Sequence, residues 1–133
     1  MSRRKAREFA FKVLFQVDQV NADPHRAFQY LLQETTLAEK DQEFSWDLIS
    51  GSLAHLEQID KEIGTYVTSW SINRMSAVDR NIIRVAGYEI MFYTNSQPVV
   101  AIDEALEIAK KYGDDTSAAF VNAILDKILG ASK

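Results

Sequence analysis

The sequence predicts an all-α protein, a compact bundle of about seven helices. Apolar residues recur at intervals of three and four along nearly the whole chain, which is the period of an amphipathic helix. No stretch alternates apolar and polar residues as a half-buried strand does. Both prolines, Pro24 and Pro98, stand where a new apolar period begins, and proline is favoured at the first position of a helix.

The apolar periods define the individual helices. Their expected ranges are 3–20, 24–34, 40–56, 58–70, 77–94, 98–112 and 117–129. The third and fourth could form one continuous helix. The fifth is expected to be central, because apolar residues cover most of its circumference; Val85 there and Ile124 in the last helix are expected to be buried. Glu89 lies inside this apolar arc, so we expect it to have a cationic or amide partner.

Composition limits the class of protein. A chain of 133 residues, 47% of them hydrophobic, can bury the core of a single domain, which we expect to span residues 1–133. Without cysteine, neither a disulfide nor a thiolate metal site can form. The start lacks the apolar segment of a signal peptide, and no apolar run reaches the length of a membrane span. We therefore expect a cytoplasmic protein with no membrane contact.

The residues that an active site would need are scarce. His25 and His55 have no ligand spacing around them, so each is expected to be an ordinary surface or boundary histidine. The five glycines are scattered and form no phosphate-binding loop. The paired acids Asp114 and Asp115 fall in a turn between helices, where capping and solvation explain them. We therefore expect no catalytic residue, no metal site and no cofactor.

The charges are unevenly distributed along the chain. The net charge is −4, but residues 1–20 hold five bases and two acids, a balance of +3, whereas the other 113 residues hold ten bases and seventeen acids, a balance of −7. An ordinary solvated surface explains this distribution as well as functional partners do. If partners are responsible, the basic segment fits an anionic partner and the acidic body fits a cationic one.

A cluster of four cations opens the first predicted helix. Its members are Arg3, Arg4, Lys5 and Arg7. Positive charges at the N-terminus of a helix oppose its dipole, so a role other than folding is expected for them. Guanidinium groups at a helix start can bind several phosphates and stack on unpaired bases, which suits single-stranded RNA. Arg4 and Arg7 are expected to be exposed.

Two large aromatic residues share a stripe of the first helix with these cations. Arg4, Arg7, Phe11 and Phe15 are spaced three, four and four apart, opposite a core face that includes Val13. Such aromatic residues need cover. Either the helix is central and buried on both sides, or the stripe is a docking surface for a partner protein or for a second copy of the chain, which would give a homodimer.

Four segments carry a resemblance to a known family. They are RRKAREFAFKVLFQ (3–16), VDRNIIRVAGYEI (78–90), PVVAIDEALEIAKKYG (98–113) and SAAFVNAILDKI (117–128). Together, and in this order, they resemble the NusB family of transcription antitermination factors. The resemblance implies an all-helical fold of two small subdomains. It also implies binding to the boxA element of nascent ribosomal RNA transcripts, together with NusE, a small-subunit ribosomal protein that doubles as a transcription factor.

The function implied by the resemblance is to promote complete transcription of ribosomal RNA operons, with contact to the transcription elongation complex through other Nus factors. The arginine-rich start then maps to RNA contacts. A continuation of the RNA surface maps to Tyr66, Tyr112, Thr116, Ser117 and Phe120. Aromatic rings there could stack on bases, although packing in the core is an equal alternative for Tyr112 and Phe120. Thr116 stands where some relatives have an acid, and the absence of that charge favours RNA.

The resemblance also implies a surface for NusE. Phe15 and Asp79 match positions of this surface, and Phe15 replaces a tyrosine of some relatives, so that a hydrogen bond from the tyrosine hydroxyl is not available. A basic ribosomal protein fits the acidic body of the chain.

Two other classes of function compete with this interpretation. NusB-like domains also serve as RNA-binding modules of ribosomal RNA cytosine methyltransferases. The sequence contains no strand-rich cofactor-binding domain, so we expect no methyl transfer by this chain. The second alternative is a helical scaffold that binds only proteins, in which the basic start merely aids solubility. Binding of a boxA-like RNA with and without NusE distinguishes these alternatives.

Overall fold

The computed structural model describes residues 2–67, 75–93 and 97–131, and within them the chain forms α-helices. These are α1 (Ser2–Val20), α2 (Pro24–Glu34), α3 (Glu39–Ala54), α4 (Leu56–Tyr66), α5 (Ala77–Phe92), α6 (Pro98–Tyr112) and α7 (Ser117–Ala131). The predicted all-α class and its seven helices are confirmed. Residues 68–70 of the fourth predicted helix and residue 94 of the fifth lie outside the described residues.

Capping side chains define two of the helix starts. Asp23 accepts a hydrogen bond from the backbone N–H of Arg26 at 3.0 Å, and Pro24 takes the first position of α2. At the start of α5, Ser76 accepts one from the backbone N–H of Asp79 at 3.1 Å. These bonds satisfy N–H groups that have no partner inside the helix.

The third and fourth helices are separate. His55 ends α3 and precedes α4, and its backbone angles (φ −110°, ψ 18°) lie outside the helical region. Its ring stacks on that of Phe92, with the ring centroids 4.1 Å apart. The junction between α3 and α4 therefore packs against the end of α5.

Buried apolar residues form two cores. The first lies between α1, α2 and α3 and includes Phe9, Val13, Leu14, Phe28, Phe44, Leu48 and Ile49. The second lies between α4, α5, α6 and α7 and includes Ile59, Ile63, Ile83, Ala105, Val121, Leu125 and Ile128. The two cores correspond to the two small subdomains that the resemblance implies.

Helices α5 and α1 contribute to both cores. Val85 of α5 packs in the first core, whereas Ile83 of the same helix packs in the second. Phe11 of α1 lies in the second core and is 4% exposed. The central position of α5 is confirmed. The predicted burial of Val85 and Ile124 is also confirmed, with exposed fractions of 4% and 5%.

A network of ion pairs lies between α1, α4 and α5. Arg80 donates to the Asp18 carboxylate, with N–O distances of 2.9 and 2.7 Å. Arg84 donates to the Asp60 carboxylate at 2.9 and 2.8 Å, and Asn81 donates to Asp18 at 2.8 Å. Charged groups in a helix interface need such partners because burial removes their hydration. The network fixes α1 and α4 against α5.

Two kinds of feature are absent from the described ranges. Within these ranges every helix is too short or too polar to span a lipid bilayer. No group of three or more histidine, cysteine, aspartate or glutamate side chains there is placed to hold a metal ion.

Candidate nucleic-acid interface

Arg4 lies in the first turn of α1 and is exposed, as predicted. Its guanidinium forms a bidentate salt bridge with Glu104 of α6, with Nε 2.7 Å from Oε1 and Nη2 3.0 Å from Oε2. The Arg4 side chain is 52% exposed and that of Glu104 is 16% exposed. The hydrogen bond from Arg4 is the main cause that lowers the pKa of Glu104. Arg4 is therefore accessible but held in one orientation.

The prediction that Arg7 is exposed is wrong. The residue is 6% exposed, and its Nε and Nη2 donate to the two carboxylate oxygens of Glu89 at 2.9 and 2.6 Å. The cause is the packing of α1 against α5, which buries Arg7 beside the one acid in the apolar arc of α5. The cationic partner predicted for Glu89 is thereby confirmed. A phosphate could reach Arg7 only if this buried ion pair were broken.

Arg3 and Lys5 also belong to the predicted RNA contacts. Arg3 is exposed, and its guanidinium carbon lies 3.9 Å from the ring centroid of Phe44, a cation–π contact. The Lys5 ammonium lies 3.7 Å from Oε1 of Glu8, and its side chain is 40% exposed. Both cations remain accessible at the surface.

Glu8 is the centre of a cluster of cations contributed by α1 and α6. Besides Lys5, its carboxylate has Lys12 at 3.8 Å and Lys111 at 2.9 Å, and it accepts a hydrogen bond from the hydroxyl of Tyr112. Burial is the largest single influence on Glu8 and acts to raise its pKa, but the hydrogen bonds from Tyr112 and Lys111 and the charges of Lys5 and Lys111 together outweigh it, so that the pKa is lowered. An ionised carboxylate thus holds three lysines together.

Tyr112 lies between this cluster and an apolar hollow. Burial, followed by the hydrogen bond to Glu8, raises the pKa of its hydroxyl. Its ring is 5.3 Å from that of Phe11, and Lys12 and Lys111 lie 5.6 and 5.4 Å from its centroid. The ring of Tyr112 therefore packs against the core beside Phe11 and has two lysines near it, so the packing alternative accounts for part of the side chain and the RNA contact stays a prediction.

The hollow beside Tyr112 has a volume of about 330 Å³ and lies next to Phe15. It is lined by Phe11, Lys12, Phe15, Gln16, Val78 and Tyr112. Of the two aromatic residues in the predicted stripe, Phe11 is core and Phe15 is half-buried, with ring centroids 6.1 Å apart. The stripe is thus buried at its middle and open at its C-terminal end.

Asp79, the second residue predicted to face NusE, lies at the start of α5 and is 9% exposed. Burial is the main cause that raises its pKa, with a smaller contribution from the charge of Asp114, while a hydrogen bond with Ser117 opposes the rise. Its Oδ1 atom has no hydrogen-bond partner within the described part of the chain. The unsatisfied oxygen is itself buried, so a donor from a partner could reach it only if the neighbouring side chains moved.

Thr116 and Ser117 belong to the turn that begins α7. The exposed Thr116 donates from its backbone N and its hydroxyl to Oδ1 of Asp114, at 2.9 and 2.8 Å. Ser117 is 2% exposed, and its hydroxyl oxygen accepts from the backbone N–H of Asp114 at 3.0 Å. The structure therefore places Thr116 at the surface and directs Ser117 inward.

Tyr66 and Phe120 are half-buried and pack against the second core. The Tyr66 hydroxyl donates to Oε2 of Glu62 at 3.0 Å, and this bond is the main cause that raises the pKa of the hydroxyl. For Phe120 the packing alternative accounts for part of the ring, and the rest stays accessible.

Sequence reasoning missed the partners that organise these residues. Glu8 could have been found, because Lys5 and Lys12 flank it at helical spacings of three and four. Lys111 and Glu104 gave no local signal, since each is separated by about a hundred positions from the α1 residue that it binds.

The family model for NusB matches residues 4–130, a range that contains the α1 cations from Arg4 onward and the α6 residues Glu104 and Lys111. The chain belongs to the NusB family. It is 65% identical over 130 residues to the transcription antitermination protein NusB of Syntrophomonas wolfei subsp. wolfei, an alignment that covers 98% of this chain and 97% of the relative. The predicted family is confirmed.

Two solved structures of NusB proteins are similar over nearly the whole fold. T. maritima NusB superposes with a TM-score of 0.90 at 41% identity, covering 98% of this chain and 92% of that chain. A crystal structure of the antitermination factors NusB and NusE in complex with double-stranded RNA gives a TM-score of 0.90 at 29% identity, with coverage of 98% and 97%. The NusB-like form of the predicted bundle is confirmed.

Proposed function

We propose that this chain is a transcription antitermination factor that binds the boxA element of nascent ribosomal RNA transcripts together with NusE. In this role it promotes complete transcription of ribosomal RNA operons and contacts the elongation complex through other Nus factors. It acts in the cytoplasm as a single domain over residues 1–133, and it acts by binding rather than by catalysis. Membership of the NusB family supports the proposal, and the observation that carries it is the convergence of α1 and α6 cations around Glu8.

The RNA surface runs from the first turn of α1 to the last turn of α6. Arg3, Arg4 and Lys5 supply exposed cations at one end, and Lys12 and Lys111 supply them beside Tyr112. A groove of about 380 Å³ between Arg4 and Lys111 joins the two ends. Cations spaced along such a groove bind successive phosphates, and the accessible part of an aromatic ring beside them can stack on a base.

Two of the predicted RNA residues support this surface from inside. Arg7 is engaged with Glu89 and fixes α1 on α5, so its role is to position the cations before and after it. Ser117 is buried and bonded to Asp114, so it shapes the turn that presents Thr116. Neither side chain needs to contact RNA for its substitution to weaken RNA binding.

Tyr66, Thr116 and Phe120 extend the RNA surface over α4 and α7. The accessible parts of the two rings can stack on bases, because every base has a π-face and stacking tolerates any sequence. Thr116 adds a surface hydroxyl without adding a negative charge.

The hollow beside Phe15 is the surface proposed for NusE. Protein interfaces gain most of their energy from a few buried aromatic or apolar anchors, and Phe15 and Val78 offer such contacts here. Asp79 follows Val78 of the lining, and its carboxylate, which is 9% exposed, places a negative charge beside the hollow that suits a basic partner. A second copy of the chain would lack this charge complementarity, because the chain is acidic overall.

RNA binding can be measured by filter retention of a single-stranded boxA RNA and of a scrambled RNA of equal composition, with and without NusE. We expect preferential boxA binding that strengthens when NusE is present. If three to four phosphates are contacted, the slope of log K against log salt is about −2 to −3. Equal retention of both RNAs under all conditions would contradict the proposal, and binding of NusE alone would favour the protein-binding scaffold.

A further inference from the structure

The ion pair between Arg4 and Glu104 uses only one side of the guanidinium. Glu104 accepts from Nε and Nη2, at 2.7 and 3.0 Å. The opposite edge is formed by Nη1 and Nη2. Among the residues described, Nη1 donates no hydrogen bond, and the Arg4 side chain is 52% exposed. A guanidinium carries five N–H donors in a rigid plane, so a carboxylate on one edge leaves a second edge that can bind a phosphate through two bonds.

Glu104 is itself well fixed. Its side chain is 16% exposed, against 46% for Glu107 one turn later on the same helix. The hydrogen bond from Arg4 lowers the pKa of Glu104, so its carboxylate is ionised at neutral pH. A fixed, ionised carboxylate on α6 thus determines where the Arg4 guanidinium lies relative to the groove that leads to Lys111.

We propose that Glu104 is a positioning residue for RNA: it holds Arg4 so that the free Nη1–Nη2 edge meets one phosphate of the bound strand. The inference rests on the proposed RNA surface. A long arginine side chain loses much rotational freedom when it binds, and a side chain that is already held loses less. Because the held orientation suits one phosphate position, Glu104 favours RNA that binds in a single register over RNA that binds in many.

A positioning role for Glu104 and simple electrostatics predict opposite effects on RNA affinity when the charge of Glu104 is removed. Removal of an acid beside an RNA surface should raise affinity for any polyanion, as in Glu107→Gln, which deletes the same charge one turn away. In contrast, Glu104→Gln should lower affinity for boxA RNA about two- to fivefold, the range of an exposed ion pair. Affinity for scrambled RNA should stay equal or rise, so that the ratio of boxA affinity to scrambled-RNA affinity falls.

Two further variants separate position from charge. Glu104→Asp keeps the charge but is too short to hold both nitrogens, and we expect it to lower boxA affinity as well. On an Arg4→Ala background, Glu104→Gln should cause no loss, because its effect passes through Arg4. Melting temperatures establish that each variant is folded.

The titrations are carried out with NusE present, using the boxA and scrambled RNAs across a salt series. A gain in boxA affinity for Glu104→Gln equal to that for Glu107→Gln would overturn the positioning role, while boxA binding by the unmodified chain would leave the proposed function intact. Wild-type behaviour of Glu104→Asp, or a loss that persists without Arg4, would also overturn it. If the unmodified chain binds no RNA, the proposed function fails and the inference fails with it.

Discussion

Arg7 and Glu89 form a bidentate salt bridge in the interior, with N–O distances of 2.9 and 2.6 Å. Their side chains are 8% and 1% exposed. Arg4, one turn earlier on α1, makes a salt bridge of the same kind at the surface. One basic cluster therefore contains a cation that joins two helices and a cation that is free to meet a ligand at its outer edge.

Arg7→Ala is expected to destabilise the protein by about 3–5 kcal/mol, because it leaves the Glu89 carboxylate buried without its partner. Unfolding by urea measures this loss. Arg3→Ala is the control, since it removes an exposed cation from the same helix and should cost less than about 1 kcal/mol. Equal unfolding midpoints for the two variants would mean that Glu89 finds another partner.

Arg4→Glu and Phe15→Ala are expected to separate the two surfaces of α1. Arg4→Glu should weaken RNA binding and flatten its salt dependence while it leaves NusE binding unchanged. Phe15→Ala should weaken NusE binding by at least about 1 kcal/mol, because it removes an aromatic anchor, and should change binary RNA affinity little. Calorimetry with NusE and RNA titrations measure the two effects.

Phe11→Ala provides the comparison for Phe15→Ala. Phe11 is 4% exposed in the second core, so its truncation should cost about 3–5 kcal/mol and impair both activities together. If Phe15→Ala behaves in the same way, Phe15 is a core residue and NusE docks elsewhere, with Asp79 the next position to test.

Asp79→Asn is expected to stabilise the protein at neutral pH. The folded-state pKa of Asp79 is raised, chiefly by burial, so its ionised form is disfavoured in the folded protein and the neutral form is favoured. The cost of ionisation is present above the folded pKa and disappears as pH falls through it to the ordinary range of aspartate. The gain in melting temperature of the Asp79→Asn variant over the wild type should therefore shrink on acidification.

Asp18→Asn is the matched control with the opposite sign. Burial acts to raise the pKa of Asp18, but hydrogen bonds from Asn81 and Arg80 and the charges of Arg80 and Arg84 together outweigh it, so that the pKa is lowered. Asp18 contributes stability above its unfolded pKa, and this stability is lost as pH falls through the folded pKa. The variant should melt lower than the wild type at neutral pH and approach it in acid. If both variants changed the melting temperature at neutral pH in the same direction, the opposite pKa shifts of Asp79 and Asp18 would be contradicted.

Gly51→Ala is expected to destabilise the protein by about 1–3 kcal/mol through overpacking. A Cβ atom at Gly51 of α3 would collide with the ring of Tyr88 of α5, because that ring packs directly against Gly51. Gly64→Ala is the control, since a Cβ atom there meets open space, and it should stabilise α4 by about 0.5–1 kcal/mol. Thermal unfolding of both variants tests the approach of α3 to α5.

The fold was predictable because helical periods, capping residues and proline positions are local signals. The sequence also predicts that Glu89 has a cationic or amide partner, since an acid in an apolar arc requires one. The identity of that partner could not be predicted, because Arg7 lies 82 positions away and helix starts are usually solvated.

The candidate site was predictable in part for the same reason. The cations of α1 are contiguous in sequence, whereas Glu104 and Lys111 join them only after α6 has packed against α1. The burial of Arg7 was missed because α1 packs on two cores. A helical-wheel projection that assumes a single core face predicts that the opposite face of the helix is exposed to solvent.

Helix α1, of 19 residues, carries Arg4 of the proposed RNA surface and Phe15 of the proposed NusE surface. Eleven steps of a helix complete about three turns and span roughly 16 Å. One residue inserted between Arg4 and Phe15 would rotate one end against the other by about 100° and displace it by only about 1.5 Å. The number of residues between Arg4 and Phe15 thus fixes the angle between the proposed RNA surface and the proposed NusE surface, so that substitutions are tolerated there but a change in length is not.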